Sequence, residues 1–274
     1  MTRPSSRTAP GRQPASTCSP RRGRDVKVRG GGPTTAPSPS IDELKRQAAL
    51  GAVAFVKSGQ KVGLGTGSTA KHAVAAIAER LTSGKLRDVE GCPTSQATEE
   101  QAKGGGIPLL PWNGKDKLDV AIDGADEVDP SLWLIKGLGG ALLREKAVAV
   151  RATTFIVVVD ETKIVQKLGT KAPLPVEVTR AQWRTEARYL ETLGGRPTLR
   201  GGEQSPFVTD NGNLVLDVRF DGGIDDPRAL ASALDGRAHV KAHGLFLEMA
   251  DVVFVASTRG VRRMERPAKQ GQTS

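Results

Sequence analysis

Apolar residues recur along this chain in two rhythms, and their alternation predicts its architecture. Four short runs are apolar at successive positions and rich in β-branched residues: Lys61-Val62-Gly63-Leu64, Leu118-Asp119-Val120-Ala121-Ile122, Phe155-Ile156-Val157-Val158-Val159 and Asp251-Val252-Val253-Phe254-Val255-Ala256. Runs of this kind form strands buried on both faces. Between them the apolar positions fall at helical spacing. Leu44, Ala48, Ala52 and Phe55 follow the capping box Ser40-Ile41-Asp42-Glu43 and predict a helix from Ile41 to Lys57; Ala70, Val74, Ile77 and Leu81 predict a second. A further strand and helix are expected between Asp88 and Trp112, the helix opening at Thr94-Ser95-Gln96-Ala97-Thr98 with Glu99 and Glu100 in its first turn. Trp133-Leu134-Ile135 reads as a short strand, and Leu142, Leu143 and Glu145 as part of a helix that begins after a tight turn at Gly139-Gly140. Strands and helices in alternation imply an α/β fold with a mainly parallel sheet covered on both faces.

The texture changes after Lys171-Ala172-Pro173-Leu174-Pro175-Val176-Glu177-Val178. A helix from Gln182 to Leu193, an extended segment around Thr198 to Arg200, a hairpin through Asn211-Gly212 into Leu214-Val215-Leu216-Asp217-Val218, and a helix from Pro227 to Leu234 read as a small α+β unit. Asp251 to Ala256 then returns to the main sheet.

Charge alters this picture less than its total suggests. The chain of 274 residues carries a formal net charge of +10, which resembles a nucleic-acid signal. Residues 1–40, however, hold eight Lys and Arg against Asp25, and the tail from Arg262 holds Arg262, Arg263, Arg266 and Lys269 against Glu265. The body between them is balanced, which argues against a phosphate-backbone footprint. Only Cys92 lies in the body and Cys18 in the leader, so no disulfide framework is expected and a reducing compartment fits. No apolar stretch approaches a membrane span, and the leader lacks a secretory apolar core. Rich in Pro, Arg, Ser, Thr and Gly, the leader reads as a disordered extension, a transit peptide, or the product of a start codon assigned too far upstream.

Candidate chemistry gathers at strand ends. Asp123-Gly124-Ala125-Asp126-Glu127 follows a buried strand, where open α/β sheets form their ligand crevices. Lys136-Gly137-Leu138-Gly139-Gly140-Ala141-Leu142-Leu143-Arg144-Glu145-Lys146 supplies a cation, close backbone approach and a base, the parts needed for proton transfer beside a carbonyl. Gly65-Thr66-Gly67-Ser68-Thr69 joins a strand to a helix and reads as an anion cradle for a phosphate or carboxylate on a small ligand. It lacks the lysine of a P-loop, and Ser68 stands where a dinucleotide loop has its third glycine. His239 and His243 share the spacing of a metal pair, without a third ligand nearby.

Six of these segments, in order, resemble the ribose 5-phosphate isomerase A family: Asp42 to Lys45, Gly65 to Thr69, Asp123 to Glu127, Lys136 to Lys146, Pro173 to Val178, and Val208-Thr209-Asp210-Asn211-Gly212-Asn213. The resemblance spans Ile41 to Val261. It implies a Rossmann-like catalytic domain over 41–179 and 252–261, a ferredoxin-like α+β lid over 180–251, a leader over 1–40 and a basic tail over 262–274. It further implies no cofactor, no metal, no nucleic-acid or membrane partner, and a homodimer or homotetramer. The activity implied is interconversion of ribose 5-phosphate and ribulose 5-phosphate through an enediolate, in the cytoplasm or, if the leader is a transit peptide, the plastid stroma. By position, Thr66, Gly67, Ser68 and Thr69 would hold the phosphate with Lys45 assisting; Asp123, Gly124, Ala125 and Asp126 would meet the sugar, and Asp123 would also assist ring opening. Lys136, Gly137, Leu138 and Gly139 would line the pocket around C1 and C2, Glu145 would be the general base, and Lys171 a further substrate contact. Leu138, where many members have glycine, and the extra Thr170 depart from the pattern. Two other readings of the same fold are a sugar-phosphate sensor without a base, and a neighbouring deaminase or acyl-CoA transferase.

Overall fold

A computed structural model describes residues 39–111 and 115–266. The leader to residue 38, Trp112 and the tail from residue 267 lie outside the described residues. In chain order the first part contains α1 (Ile41–Val53), β1 (Lys61–Leu64), α2 (Ala70–Thr82), β2 (Glu90–Pro93), α3 (Gln96–Gly104), β3 (Leu118–Asp123), β4 (Glu127–Val128), β5 (Leu134–Ile135), α4 (Leu142–Ala149) and β6 (Ala152–Asp160). The second contains β7 (Leu174–Val178), α5 (Trp183–Thr192), β8 (Gly195–Leu199), β9 (Leu214–Phe220), α6 (Pro227–Asp235), β10 (Val240–His243), β11 (Leu245–Phe246), β12 (Val252–Ser257) and β13 (Gly260–Glu265).

The main sheet has the order β13-β12-β6-β3-β1-β2, parallel throughout except for β13 at its edge. Alternate residues of the buried strands serve opposite faces. Val120, Ile122, Ile156, Val158 and Phe254 pack with α1 and α2, while Ala121, Phe155, Val157, Val159, Val253 and Val255 pack with Val148 and Ala149 of α4 and with Phe246. This is why each strand reads as a continuous apolar run. The chain leaves β1 toward β2 on one side and returns to β3 on the other, so the carboxyl ends of β1 and β3 flank the point where strand order reverses. A crevice is expected there.

Strand β7 lies in a second sheet, of order β10-β7-β9-β8 and wholly antiparallel. With α5 and α6 it makes a β-α-β-β-α-β unit, the ferredoxin-like arrangement. A boundary after residue 179 would cut this sheet, because β7 pairs with β9 and β10; buried on both faces, β7 reads like a strand of the parallel sheet. The Asn211-Gly212 turn closes a single bridge, Val208 to Leu214; β9 pairs instead with β7 and with β8, which the fourteen-residue loop 200–213 joins to it. A third sheet, β11-β5-β4, takes β4 and β5 from between β3 and β6 and β11 from between β10 and β12, and holds the short strand read at Trp133 to Ile135.

Two element ends differ from expectation. Helix α1 stops at Val53 rather than Lys57, because the chain turns at Ala54 to set the Phe55 ring edge-on to Phe254, 5.8 Å between centroids. The tail drawn from Arg262 contains most of β13, whose exposed, charged side chains cover the sheet edge.

Candidate active site

The carboxyl ends of β1 and β3, the turn after β5 and the start of α4 converge on a cleft of about 460 Å³, part of it open to solvent. Its lining includes Thr66, Gly67, Ser68, Thr69, Gly124, Ala125, Asp126, Lys136, Gly137, Gly139, Glu145 and Lys163. The two ends of this lining are built differently.

One end is a buried charge cluster. Lys136 is 2% exposed, and its Nζ stands 3.1 Å from Asp123 Oδ2 and 3.4 Å from Glu145 Oε1 while donating to the carbonyl of Gly124. Asp123 also accepts from the N–H groups of Thr66 (3.1 Å) and Gly124 (2.7 Å). Gly65 permits this approach, since a Cβ there would lie 2.3 Å from Asp123 Oδ1. The Phe246 ring, 5.6 Å from Lys136 Nζ, closes the cluster from below. Glu145 is 5% exposed, and its Oε2 has no hydrogen-bond partner among the described residues. Burial, opposed by Lys136 and reinforced by Asp123 and Asp126, pushes the Glu145 carboxyl up to about 8. Lys136, paired with these carboxylates, is held well above the usual lysine range and stays charged. Burial also raises Asp123, against the pull of Lys136 and the two N–H donors.

The other end is a backbone cradle. Helices α1, α3 and α6 are capped by the side chains of Ser40, Ser95 and Asp226, whereas α2, like α4 and α5, begins with no side-chain cap. Lys71 and His72 N–H are taken by the Gly67 and Thr69 carbonyls, so the dipole and the N–H groups ahead of Lys71 are what the cleft has to stabilise an anion. Gly67, at φ +115°, makes the turn that exposes them. Lys45 reaches across from α1 to donate to Ser68 Oγ at 2.9 Å, bringing a cation to the same rim.

A strong carboxylate base beside a fixed cation at one end, and an anion cradle at the other, fit a small phosphorylated substrate that exchanges a proton. The ribose 5-phosphate isomerase A family model matches residues 90–260. Ribose-5-phosphate isomerase A of Desulfatibacillum aliphaticivorans is 50% identical over 227 residues, covering 82% of this chain and 98% of that protein. The chain belongs to the ribose 5-phosphate isomerase A family. A probable ribose-5-phosphate isomerase 2 of Arabidopsis thaliana is 47% identical over 81% of this chain and 86% of its own length. A solved D-ribose-5-phosphate isomerase in complex with phospho-erythronic acid superposes with a TM-score of 0.80 at 40% identity, over 83% of this chain and 100% of that one. The chain is an aldose–ketose isomerase of that family.

Against this family background the residues singled out in the sequence fall into place unevenly. Asp123 lies just beneath the cleft, and eleven of the others line it. Thr66 does so with its backbone: its hydroxyl is turned into a network with Thr94 (2.6 Å), Ser95 (2.8 Å) and Thr98 (2.9 Å). Leu138 is outside the lining, 40% exposed, and contributes its N–H to Asp126 Oδ2 at 3.0 Å. Lys171 requires correction. Its ammonium bonds the carbonyls of Thr162 (2.7 Å) and Ile164 (3.0 Å), outside the cleft, and its N–H is held by the buried Glu127, which also binds the N–H groups of Gly169 and Ala172. It braces the 3₁₀ turn Glu161–Lys163, and the lysine that turn delivers to the cleft is Lys163. Sequence reasoning passed over Lys163, although it stands three residues beyond the carboxyl end of β6, where ligand residues concentrate. His239 and His243 face different partners. His239 Nδ1 lies 3.5 Å from Thr179 Oγ1, while His243 is buried between Asp235 (3.0 Å) and Lys146 (3.3 Å).

Proposed function

We propose that this chain interconverts ribose 5-phosphate and ribulose 5-phosphate with Glu145 as the base. The cradle at Gly67 to Thr69, with Lys45 and Lys163 nearby, holds the phosphate. The opened sugar then extends toward the buried cluster. Glu145 takes the C2 proton, the O1 and O2 atoms exchange a proton, and the same carboxyl returns its proton to C1. Lys136 stands where the enediolate oxygen becomes negative, and its charge, already desolvated and fixed, needs no reorganisation as the reaction proceeds. Asp123 fixes Lys136, and Asp126 meets the sugar hydroxyls. Binding energy from the unreactive phosphate end positions the reacting end.

The observation that carries this reading is the buried Glu145 carboxyl, unpartnered at Oε2, beside Lys136. A base with its carboxyl near 8 is strong enough to abstract an α-proton and is only partly ionised at neutrality. The rate kcat/KM should therefore rise about tenfold per pH unit below the Glu145 value and level off above it. Glu145→Gln should retain sugar-phosphate binding while losing roughly 10²- to 10⁴-fold in kcat, and should no longer wash solvent deuterium into C2 of the substrate or C1 of the product. A Gln variant that isomerises near the wild-type rate removes Glu145 from this role.

The proposed chemistry uses protein groups alone, so activity should survive EDTA; restoration by added zinc or manganese after loss would refute that. Among the described residues no helix is long and apolar enough to cross a membrane. A reducing compartment, cytoplasm or plastid stroma, suits the buried free Cys92, and a homodimer or homotetramer is the assembly that sedimentation should find.

A further inference from the structure

The turn Gly137-Leu138-Gly139-Gly140 joins the cation to the helix that carries the base, and three of its four residues are glycine. Gly137 and Gly140 lie at φ +103° and +81°. A turn of that composition loses more conformational entropy on ordering than any other, so something must hold it. Within the turn, Gly140 N–H donates to Gly137 O at 2.9 Å. From outside, the hold comes from the ferredoxin-like unit.

Arg200, at the end of β8, donates through Nη1 to the carbonyls of Gly137 (3.3 Å) and Leu138 (3.0 Å). Its other two nitrogens fork onto Asp217 of β9, Nε to Oδ2 at 2.8 Å and Nη2 to Oδ1 at 2.5 Å. That bidentate pairing fixes the guanidinium plane. The Phe207 ring lies 5.5 Å from the guanidinium carbon and fills the space a Gly140 Cβ would enter, 2.5 Å away. Arg200 opens the segment 200–213, whose far end is pinned by a carboxylate that the isomerisation does not use. Glu177, fully buried in β7, accepts from Thr209 Oγ1 (2.9 Å), Asn213 Nδ2 (2.9 Å) and Asn211 Nδ2 (3.3 Å). Asp210 of the same segment accepts from Gln96 N–H at 2.8 Å, and Asn211 from Arg144 of α4 at 3.1 Å.

The direction of these bonds has a chemical effect. In a trans peptide the C=O and the following N–H point opposite ways. The Gly137 carbonyl faces Arg200, and Leu138 N–H, across the same peptide, faces Asp126, which lines the cleft. The next peptide has its carbonyl on the same Arg200 nitrogen, so Gly139 N–H is turned to the Asp126 side, and Gly139 lines the cleft. We propose that Arg200 is a positioning residue for the isomerisation: by drawing the Gly137 and Leu138 carbonyls outward, it aims Gly139 N–H at the anionic oxygen of the reacting end. The inference rests on the isomerase reading above.

Two probes separate this role from simple loss of structure. Inorganic phosphate reports the cradle, on α2, which Arg200 does not touch; phospho-erythronic acid carries a carboxylate as well, and so reports the reacting end. In Arg200→Met/Asp217→Asn, which leaves no unpaired charge, kcat should fall about tenfold or more, phospho-erythronic acid should bind correspondingly more weakly, and phosphate inhibition should stay within about twofold of wild type. Arg200→Lys should fall between, because one ammonium cannot hold Asp217 and two carbonyls together. Guanidinium chloride at tens of millimolar should restore part of the kcat of Arg200→Ala. A folded double variant with wild-type kcat overturns the proposal, as does a parallel loss of phosphate and phospho-erythronic acid affinity, or an Arg200→Lys as impaired as the double variant without guanidinium rescue. If the wild-type chain itself binds both probes and isomerises nothing, the isomerase reading fails first.

Discussion

The two ends of the cleft solve opposite problems with opposite means. The end proposed for the phosphate is open, built on exposed Gly67 and Ser68 and on the uncapped start of α2, where a permanent charge would meet partial charges and the cations of Lys45 and Lys163. The end proposed for the reaction is closed, built on Lys136, Asp123 and Glu145 at 5% exposure or less, and it would stabilise a charge that exists only during reaction. A phosphate arrives hydrated and must leave, so an open cradle serves it. An enediolate must never be hydrated, and a base must be stronger than a solvated carboxylate; both demand burial.

Replacing Lys136 with Met tests the closed end most severely. It leaves Asp123 and Glu145 buried without their shared cation, which should cost about 3–5 kcal/mol of stability and at least roughly 10²-fold in kcat. Because Lys136 holds the Glu145 carboxyl down, its removal should also move the acid limb of kcat/KM above its wild-type position. Urea denaturation and a pH–rate profile read both effects; an unmoved limb would break the link between the cation and the base.

At the open end the loss should be milder and confined to binding. Ser68→Ala with Thr69→Ala removes two hydroxyls and leaves the backbone N–H groups and the dipole. KM for ribose 5-phosphate and the inhibition constant for phosphate should rise together by roughly tenfold, with kcat nearly kept and the melting temperature little changed. A fall in kcat with unchanged phosphate inhibition would place the phosphate elsewhere.

The two lysines sharpen the contrast further. Lys163→Met should raise KM several-fold through its place in the lining, whereas Lys171→Met should act chiefly on stability, by about 1–2 kcal/mol, through the lost bonds to Thr162 and Ile164. Equal effects of the two on KM would restore Lys171 to the site.

Linkage supplies a check through pH. The folded protein holds a proton on Glu145 up to about 8, while the unfolded chain releases it near 4.5, so between those values the folded state binds more protons and stability falls as pH rises. Glu145→Gln cancels that contribution. Relative to wild type, the variant should melt higher at pH 8.5 and by less at pH 5. No pH dependence in the difference would mean that the carboxyl is ionised at pH 5 in the folded protein.

The sequence alone determined the strands of the parallel sheet, because burial on both faces leaves a continuous apolar run, and it determined α1 and α3 through caps that are local by nature. It also marked Asp123, Glu145, Lys136 and the cradle, since strand ends and glycine turns place such residues at the crevice whatever lies further away. What tertiary structure decided depended on distant partners. Leu174 to Val178 looks like any buried strand, and only its pairing with β9 and β10 puts it in the antiparallel sheet. Lys163 and Lys171 are both lysines after turns; the carbonyls of Thr162 and Ile164, supplied by folding, send one outside and leave the other in the cleft. Glu145 is an ordinary helical glutamate in the sequence. The raised carboxyl that would make it a base exists only where β3, β5 and α4 meet and bury it, because desolvation is a property of the surroundings that no local pattern encodes.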